Sequence, residues 1–159
     1  IRLLYVGRIK KEKGIFSLIN LIKNERDINL TIVGAEKDSP GFDNPNVTVC
    51  EIENNPENLI KLYDNHNMFI LPSYTEGHPM VLLESLARMR PVIIFNEIEY
   101  VIGDKKGIFV SKREVPALRE TIDHIKKNYQ NIFNEMKKNN LPTNNEFIKD
   151  LKSYIINSD

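Results

Sequence analysis

Short runs of apolar, often β-branched residues alternate along this chain with longer stretches whose apolar positions recur every three or four residues. The first kind reads as buried strands and the second as amphipathic helices. Strands are predicted at residues 2–6, 30–33, 47–50, 68–71, 91–95 and 108–110, and helices at 13–25, 56–65, 79–89 and 115–128. The first helix would turn Ile15, Leu18, Ile19 and Ile22 to the core, and the last Leu118, Ile122 and Ile125. Residues 35–46, with Ser, Pro, Gly, Asp and Asn, read as a loop. The tail reads as helical to about residue 156, broken near Leu141-Pro142. Strands alternating with helices imply βαβ units and a mostly parallel sheet covered on both faces. Such sheets bind ligands outside the carboxyl ends of their strands. The loops of interest therefore follow Val6, Val33, Cys50, Leu71 and Phe95.

One of those loops leads into the most informative stretch of the chain, Glu76-Gly77-His78-Pro79-Met80-Val81-Leu82-Leu83-Glu84. Pro79 suits the first helical position, and a helix N-terminus presents free N–H groups to an anion. Glu84 stands among apolar residues, where a charge needs a partner. The pair thus offers two fixed acceptors beside a phosphate seat. The plainer alternatives are a loop carboxylate at a helix start for Glu76, stabilising by about 0.3–1 kcal/mol, and an i,i+4 pair of Glu84 with Arg88. After the first strand, Gly7 permits a sharp exit, and Arg8 and Lys13 flank the loop. Those cations either clamp a diphosphate or form a solvated basic turn. Ser73 and Thr75 suit either ligand hydroxyls or loop backbone. His78 reads as a packing or hydrogen-bonding residue rather than an acid or base.

Composition narrows the field. With 159 residues, 41% apolar and 28% charged, the chain is long enough for one domain with a real core. A formal net charge of zero argues against a whole-domain grip on nucleic acid. Cys50 is the only cysteine, so no intrachain disulfide forms, and the three histidines show no zinc-ligand spacing. No apolar run approaches a membrane span. The chain has no Gly-x-Gly-x-x-Gly after its first strand, no Gly-x-x-x-x-Gly-Lys-Ser/Thr and no Gly-x-Ser-x-Gly. It starts at Ile1-Arg2 and runs straight into a strand, which reads as a piece of a longer protein.

Taken together, Val6-Gly7-Arg8 through Lys13-Gly14, Leu30 to Gly34, Phe69-Ile70-Leu71-Pro72-Ser73 with Glu-x7-Glu at Glu76 and Glu84, and Pro91-Val92-Ile93 resemble the retaining glycosyltransferase family 4 in order and spacing. The resemblance reaches to about Ile125 and implies a Rossmann-like, three-layer α/β domain, one half of a GT-B fold. Residues 1–159 would be the C-terminal nucleotide-sugar-binding domain, with a tail helix at about 144–157 and the N-terminal acceptor domain absent from this chain. By the same resemblance, Arg8 and Lys13 would bind the donor diphosphate and stabilise the leaving nucleotide. Glu76 would contact the donor sugar near the reacting carbon, and Glu84 the ribose. Gly77, His78, Met80 and Val81 would offer backbone N–H groups to the sugar and distal phosphate. Gly7 would shape the loop, and Ile52 would lie beside the base.

The implied substrate is a nucleotide diphosphate sugar, with UDP-sugar favoured, and no metal or other cofactor. The implied partners are a saccharide or lipid-linked acceptor and the missing N-terminal domain, with no nucleic acid. Cytoplasmic location is implied, peripheral at the inner face of the cell membrane where the acceptor is lipid-linked. The fragment alone would bind nucleotide without turnover. The alternatives are a sugar-nucleotide epimerase of the same architecture and a degenerate, non-catalytic nucleotide-binding module. The chain departs from the family pattern at Pro79, Met89 and Glu51, where glycine is usual, and in a shortened, glycine-free turn after the Pro-Val strand, in which Glu99 matches the acidic residue.

Overall fold

A computed structural model describes residues 1–141, so the expected tail helix lies outside the described residues. Six strands form one sheet: β1 (Arg2–Val6), β2 (Asn29–Ala35), β3 (Val47–Glu51), β4 (Met68–Leu71), β5 (Val92–Phe95) and β6 (Ile108–Ser111). Their order is β3-β2-β1-β4-β5-β6, and every neighbouring pair is parallel. The helices are α1 (Ile15–Leu21), α2 (Pro56–Asp64), α3 (Met80–Ala87) and α4 (Val115–Met136). Every residue of β4 and β5 is buried, which only a sheet covered on both faces allows. That is why these two strands read as continuous apolar runs rather than as alternating ones. Strand order reverses at β1, whose neighbours are β2 and β4. The carboxyl ends of β1 and β4 therefore open beside each other, where parallel sheets present their ligands.

Several boundaries differ from the sequence reading for local reasons. The first helix does not begin at residue 13. A 3-10 turn, Lys11–Lys13, is closed by Gly14 at φ 67°, and α1 starts only beyond it. Gly14 serves as C-cap of one element and N-cap of the next. Helix α1 also ends earlier than expected, with Ile22 as its C-cap. Pro79 is the N-cap of α3 rather than its first residue (φ −75°, ψ 95°). Helix α4 runs on to Met136, well past residue 128, and buries Ile132 and Met136.

Two helix ends show their chemistry plainly. Asn55 caps α2, its side chain accepting from the N–H groups of Glu57 (2.9 Å) and Asn58 (3.3 Å), with Pro56 behind it at a position that needs no N–H. Helix α3 closes with Met89 at φ 57°, the left-handed conformation. Met89 N–H donates to Leu86 O (2.9 Å) and Arg90 N–H to Ser85 O (3.0 Å), the two bonds of a Schellman motif. The conformation for which glycine is usual is thus retained by a methionine. The same stretch settles the partner of Arg88. It makes a two-point bond to Asp64 on α2 (Nε–Oδ1 3.0 Å, Nη2–Oδ2 2.5 Å), which removes the plainer alternative of an i,i+4 pair with Glu84. A forked guanidinium matches a carboxylate that faces it squarely, and Asp64 supplies that geometry.

Candidate functional site at the carboxyl edge of the sheet

The turn after β1 is shaped by a close approach of two loops. Gly7 N–H donates to Val33 O (2.8 Å), and a Cβ on Gly34 would stand 2.3 Å from Gly7 O, so only glycine fits there. Beneath the turn, buried Tyr5 donates its hydroxyl to Arg8 O (2.9 Å). Burial, with the negative charge of Glu76 adding to it, pushes the Tyr5 phenol well up, so it stays protonated and keeps donating.

These elements enclose a cleft of about 350 Å³ lined by Gly7, Arg8, Lys13, Glu76, His78, Pro79, Met80 and Val81 over a floor of Tyr5, Val6 and Leu71. The cleft holds seven of the residues expected to handle the donor: Gly7, Arg8, Lys13, Glu76, His78, Met80 and Val81. Arg8 is exposed at its margin. Lys13 Nζ lies 2.7 Å from Glu76 Oε1, and Ser73, fully buried, donates to the same oxygen at 2.5 Å. The Glu76 side chain is only 9% exposed, so this ion pair is largely withdrawn from water. A paired, twice-bonded carboxylate has a fixed direction, which an isolated surface glutamate lacks. Ser73 thus serves the loop and its carboxylate together.

The other three expected residues lie in neighbouring hollows. Gly77 lines a cavity of about 250 Å³ that shares His78 and Pro79 with the cleft and adds Tyr100 and Lys105. Glu84 points into a hollow of about 250 Å³ between α2 and α3, among Leu59, Ile60, Tyr63 and Ala87. Its Oε2 accepts from the Tyr63 hydroxyl at 2.9 Å. Burial and then the Glu84 charge push the Tyr63 phenol upward, which keeps it a donor. Ile52, 48% exposed, lines a groove of about 460 Å³ past β2 and β3 with Cys50, Glu51 and Lys61.

Tyr5, Tyr63, Tyr100 and Arg113 shape this region and were not singled out from the sequence. Arg113 follows β6. Its guanidinium lies between the rings of Tyr74 and Phe95, each centroid 4.2 Å away, and donates to Pro72 O (2.9 Å) and to Glu97 Oε1 (2.8 Å). Burial opposes the Glu97 charge most strongly, but the bond from Arg113, a backbone bond and the Arg113 charge together outweigh it and hold that carboxyl below the usual range. Tyr63 had a faint signal, one turn beyond Leu59 on the apolar stripe of α2. Arg113 and Tyr100 had none, because turn residues carry no periodicity.

A parallel six-stranded sheet of this order, with cations, a carboxylate and a helix start gathered at its carboxyl edge, defines a Rossmann-like α/β domain of the kind found in GT-B glycosyltransferases. The chain belongs to the family described as glycosyl transferases group 1, whose model matches residues 1–142. It is 31% identical over 137 residues to the capsular polysaccharide biosynthesis glycosyltransferase CapM of Staphylococcus aureus, a match covering 76% of this chain and 35% of that protein. It is 28% identical to the Bacillus subtilis protein TuaC, named for teichuronic acid biosynthesis, over 74% of this chain and 31% of that one. The chain therefore spans about a third of the length of these curated relatives.

Among solved structures, sucrose-phosphate synthase from Thermosynechococcus elongatus superposes with a TM-score of 0.69 at 22% identity, covering 86% of this chain and 38% of that one. The catalytic domain of cholesterol-α-glucosyltransferase from Helicobacter pylori superposes at 0.63 and 17% identity, covering 87% and 93%. At these identities the likeness concerns the fold. Among the described residues, no helix is long and apolar enough to cross a membrane.

Proposed function

We propose that this chain is the donor-binding half of a retaining glycosyltransferase. Its reaction moves a sugar from a nucleotide diphosphate sugar, UDP-sugar favoured, to an acceptor hydroxyl in surface polysaccharide synthesis. The observation that carries this reading is the cleft at the ends of β1 and β4, where Arg8, Lys13, Glu76 and the start of α3 converge. A diphosphate leaving group gathers negative charge as the sugar C1–O bond breaks. A guanidinium, an ammonium and helix-terminal N–H groups are suited to receive that charge. Pro79 has no N–H, so Met80 and Val81 are the first N–H donors of α3 itself.

Glu76, held by Lys13 and Ser73, faces the donor sugar near the reacting carbon. Glu84, oriented by Tyr63, accepts from ribose hydroxyls in the adjoining hollow. Ile52 covers the base, and Gly77 and His78 offer backbone N–H groups to the sugar. The new bond joins the acceptor oxygen to C1, and the acceptor proton leaves with a phosphate oxygen. The acceptor itself is held by a separate domain, at a cytoplasmic site peripheral to the membrane where the acceptor is lipid-linked. Both relatives are named as glycosyltransferases, one of capsular polysaccharide and one of teichuronic acid biosynthesis, which favours transfer over the epimerase alternative.

Calorimetric titration of this chain with UDP, GDP and ADP tests the reading, beside Arg8→Ala and Glu84→Ala. Selective binding of one nucleotide, weakened about tenfold or more by each substitution in folded protein, is the expected result. No binding of any nucleotide by the folded chain would overturn it.

A further inference from the structure

The loop between β4 and α3 carries Glu76, and its backbone is gripped from a distance by a single atom. Tyr100 Oη donates to Glu76 O at 2.6 Å and accepts from Glu76 N–H at 2.9 Å. One hydroxyl therefore fixes both the amide and the carbonyl of the same residue. With both peptide groups set, the direction of the Cα–Cβ bond is set too. The side chain is then held at its far end by Lys13 and Ser73. Four hydrogen bonds, two from Tyr100, one from Lys13 and one from Ser73 of the same loop, thus determine where one carboxylate points.

Core burial does not account for the placement of Tyr100, since its side chain is 62% exposed. Its base, however, is rigid. It stands on the 3-10 segment Asn96–Val101, kinked at Ile98, which is fully buried. The same segment carries Glu97, bonded to Arg113, and Arg113 in turn holds Pro72 O at the start of the Glu76 loop. The glycine-free turn after β5 therefore braces the Glu76 loop at two points, through Arg113 at its beginning and through Tyr100 at Glu76 itself.

We infer that Tyr100 is a positioning residue for the sugar-facing carboxylate of Glu76, a role that governs recognition of the donor's sugar and not of its nucleotide. This deepens the proposed function and rests on it. A positioning role and a merely structural one separate in the ratio of two affinities. Tyr100→Phe keeps the ring and removes only the hydroxyl.

The chain and its Tyr100→Phe variant are titrated with UDP and UDP-glucose, GDP and GDP-mannose, and ADP and ADP-glucose. The pair whose nucleotide binds is the one compared. The expected result is a change of about five- to tenfold in the ratio of nucleotide-sugar to nucleotide affinity, with nucleotide affinity alone moving less than about twofold. In a Glu76→Ala background the same substitution should leave the ratio unchanged, because the group it positions is gone. An unchanged ratio in Tyr100→Phe overturns the inference, and so does equal weakening of both ligands. A ratio that still shifts in the Glu76→Ala background overturns it as well. Failure of the unsubstituted chain to bind any nucleotide overturns the proposed function, and this inference with it.

Discussion

Gly14→Ala should damage fold and cleft together, and the structure gives the size of the effect. A Cβ built on Gly14 would stand 1.8 Å from Pro72 O and 2.8 Å from its carbonyl carbon, whereas ordinary van der Waals contact begins at 3.4 Å. The two loops would have to separate by about 1.6 Å at that point. Alanine also pays for the left-handed backbone at φ 67°, roughly 1–2 kcal/mol. The separation would pull Pro72 from the Arg113 guanidinium, a charge-assisted bond of the class that contributes about 1.5–3 kcal/mol. It would also part Tyr74 N–H from Glu12 O, now at 3.0 Å.

Together these give a loss of about 3–5 kcal/mol, a large fraction of the 5–15 kcal/mol typical of a domain. Urea unfolding followed by circular dichroism measures it as a fall in midpoint at constant slope. Lys13 precedes Gly14 and Ser73 follows Pro72, so the grip on Glu76 loosens as well, and, on the proposed function, nucleotide-sugar binding should weaken in whatever fraction stays folded. A Gly14→Ala protein within about 1 kcal/mol of the parent would refute the close approach of these two loops.

Three further outcomes are expected. Asn55→Ala should destabilise by about 1 kcal/mol, because it removes the acceptor for two N–H groups at the start of α2, while Asn55→Asp should retain most of the stability; thermal melts of both variants check this. Tyr63→Phe should reduce stability by about 0.5–1.5 kcal/mol and, on the proposed function, weaken nucleotide binding several-fold, because Glu84 loses the hydroxyl that orients it; unaltered binding by calorimetry would separate Glu84 from the nucleotide.

Acid should destabilise the fold through His66. Its Nδ1–H donates to Leu62 O (2.6 Å), so Nε2 accepts from Thr31 Oγ1 (2.8 Å), and burial holds its pKa below the ordinary value. The unfolded chain then binds the proton more readily, so this contribution is complete above an unfolded pKa of about 6.5 and declines as pH falls toward the folded value. Urea midpoints at pH 7.5 and pH 5 should differ for the parent and converge in His66→Gln.

The sheet is more legible in the sequence than the turns are. Strands β1 and β4 span the residues the pattern predicts, because a mainly apolar run bounded by polar residues has one stable use in a parallel sheet. Helix starts were less legible. The β1–α1 connection hides a 3-10 turn and a left-handed glycine inside what reads as one long amphipathic stretch. Arg88 has two carboxylates in plausible reach, one on its own helix and one on α2, and only the packing of α2 against α3 decides between them.

At the cleft the division is similar. That Arg8, Lys13 and Glu76 lie at one edge of the sheet follows from the chain alone, since each follows a strand of a parallel sheet, and the pairing of β1 with β4 then brings them together. That Glu84 lines a different hollow from Glu76, with Tyr63 as its partner, does not follow from spacing. Glu76 precedes α3 and Glu84 lies on it, so their relative direction depends on how the loop enters the helix. Tyr100 and Arg113 were invisible for the same reason. They act across 24 and 41 positions of sequence, on Glu76 and Pro72, and a contact at that range exists only once the sheet has brought the two turns side by side. Local pattern determined which segments became strands and helices, because burial and backbone preference act over a few residues. Tertiary structure alone decided which distant polar groups pair, because a hydrogen bond forms only where packing brings donor and acceptor within about 3 Å.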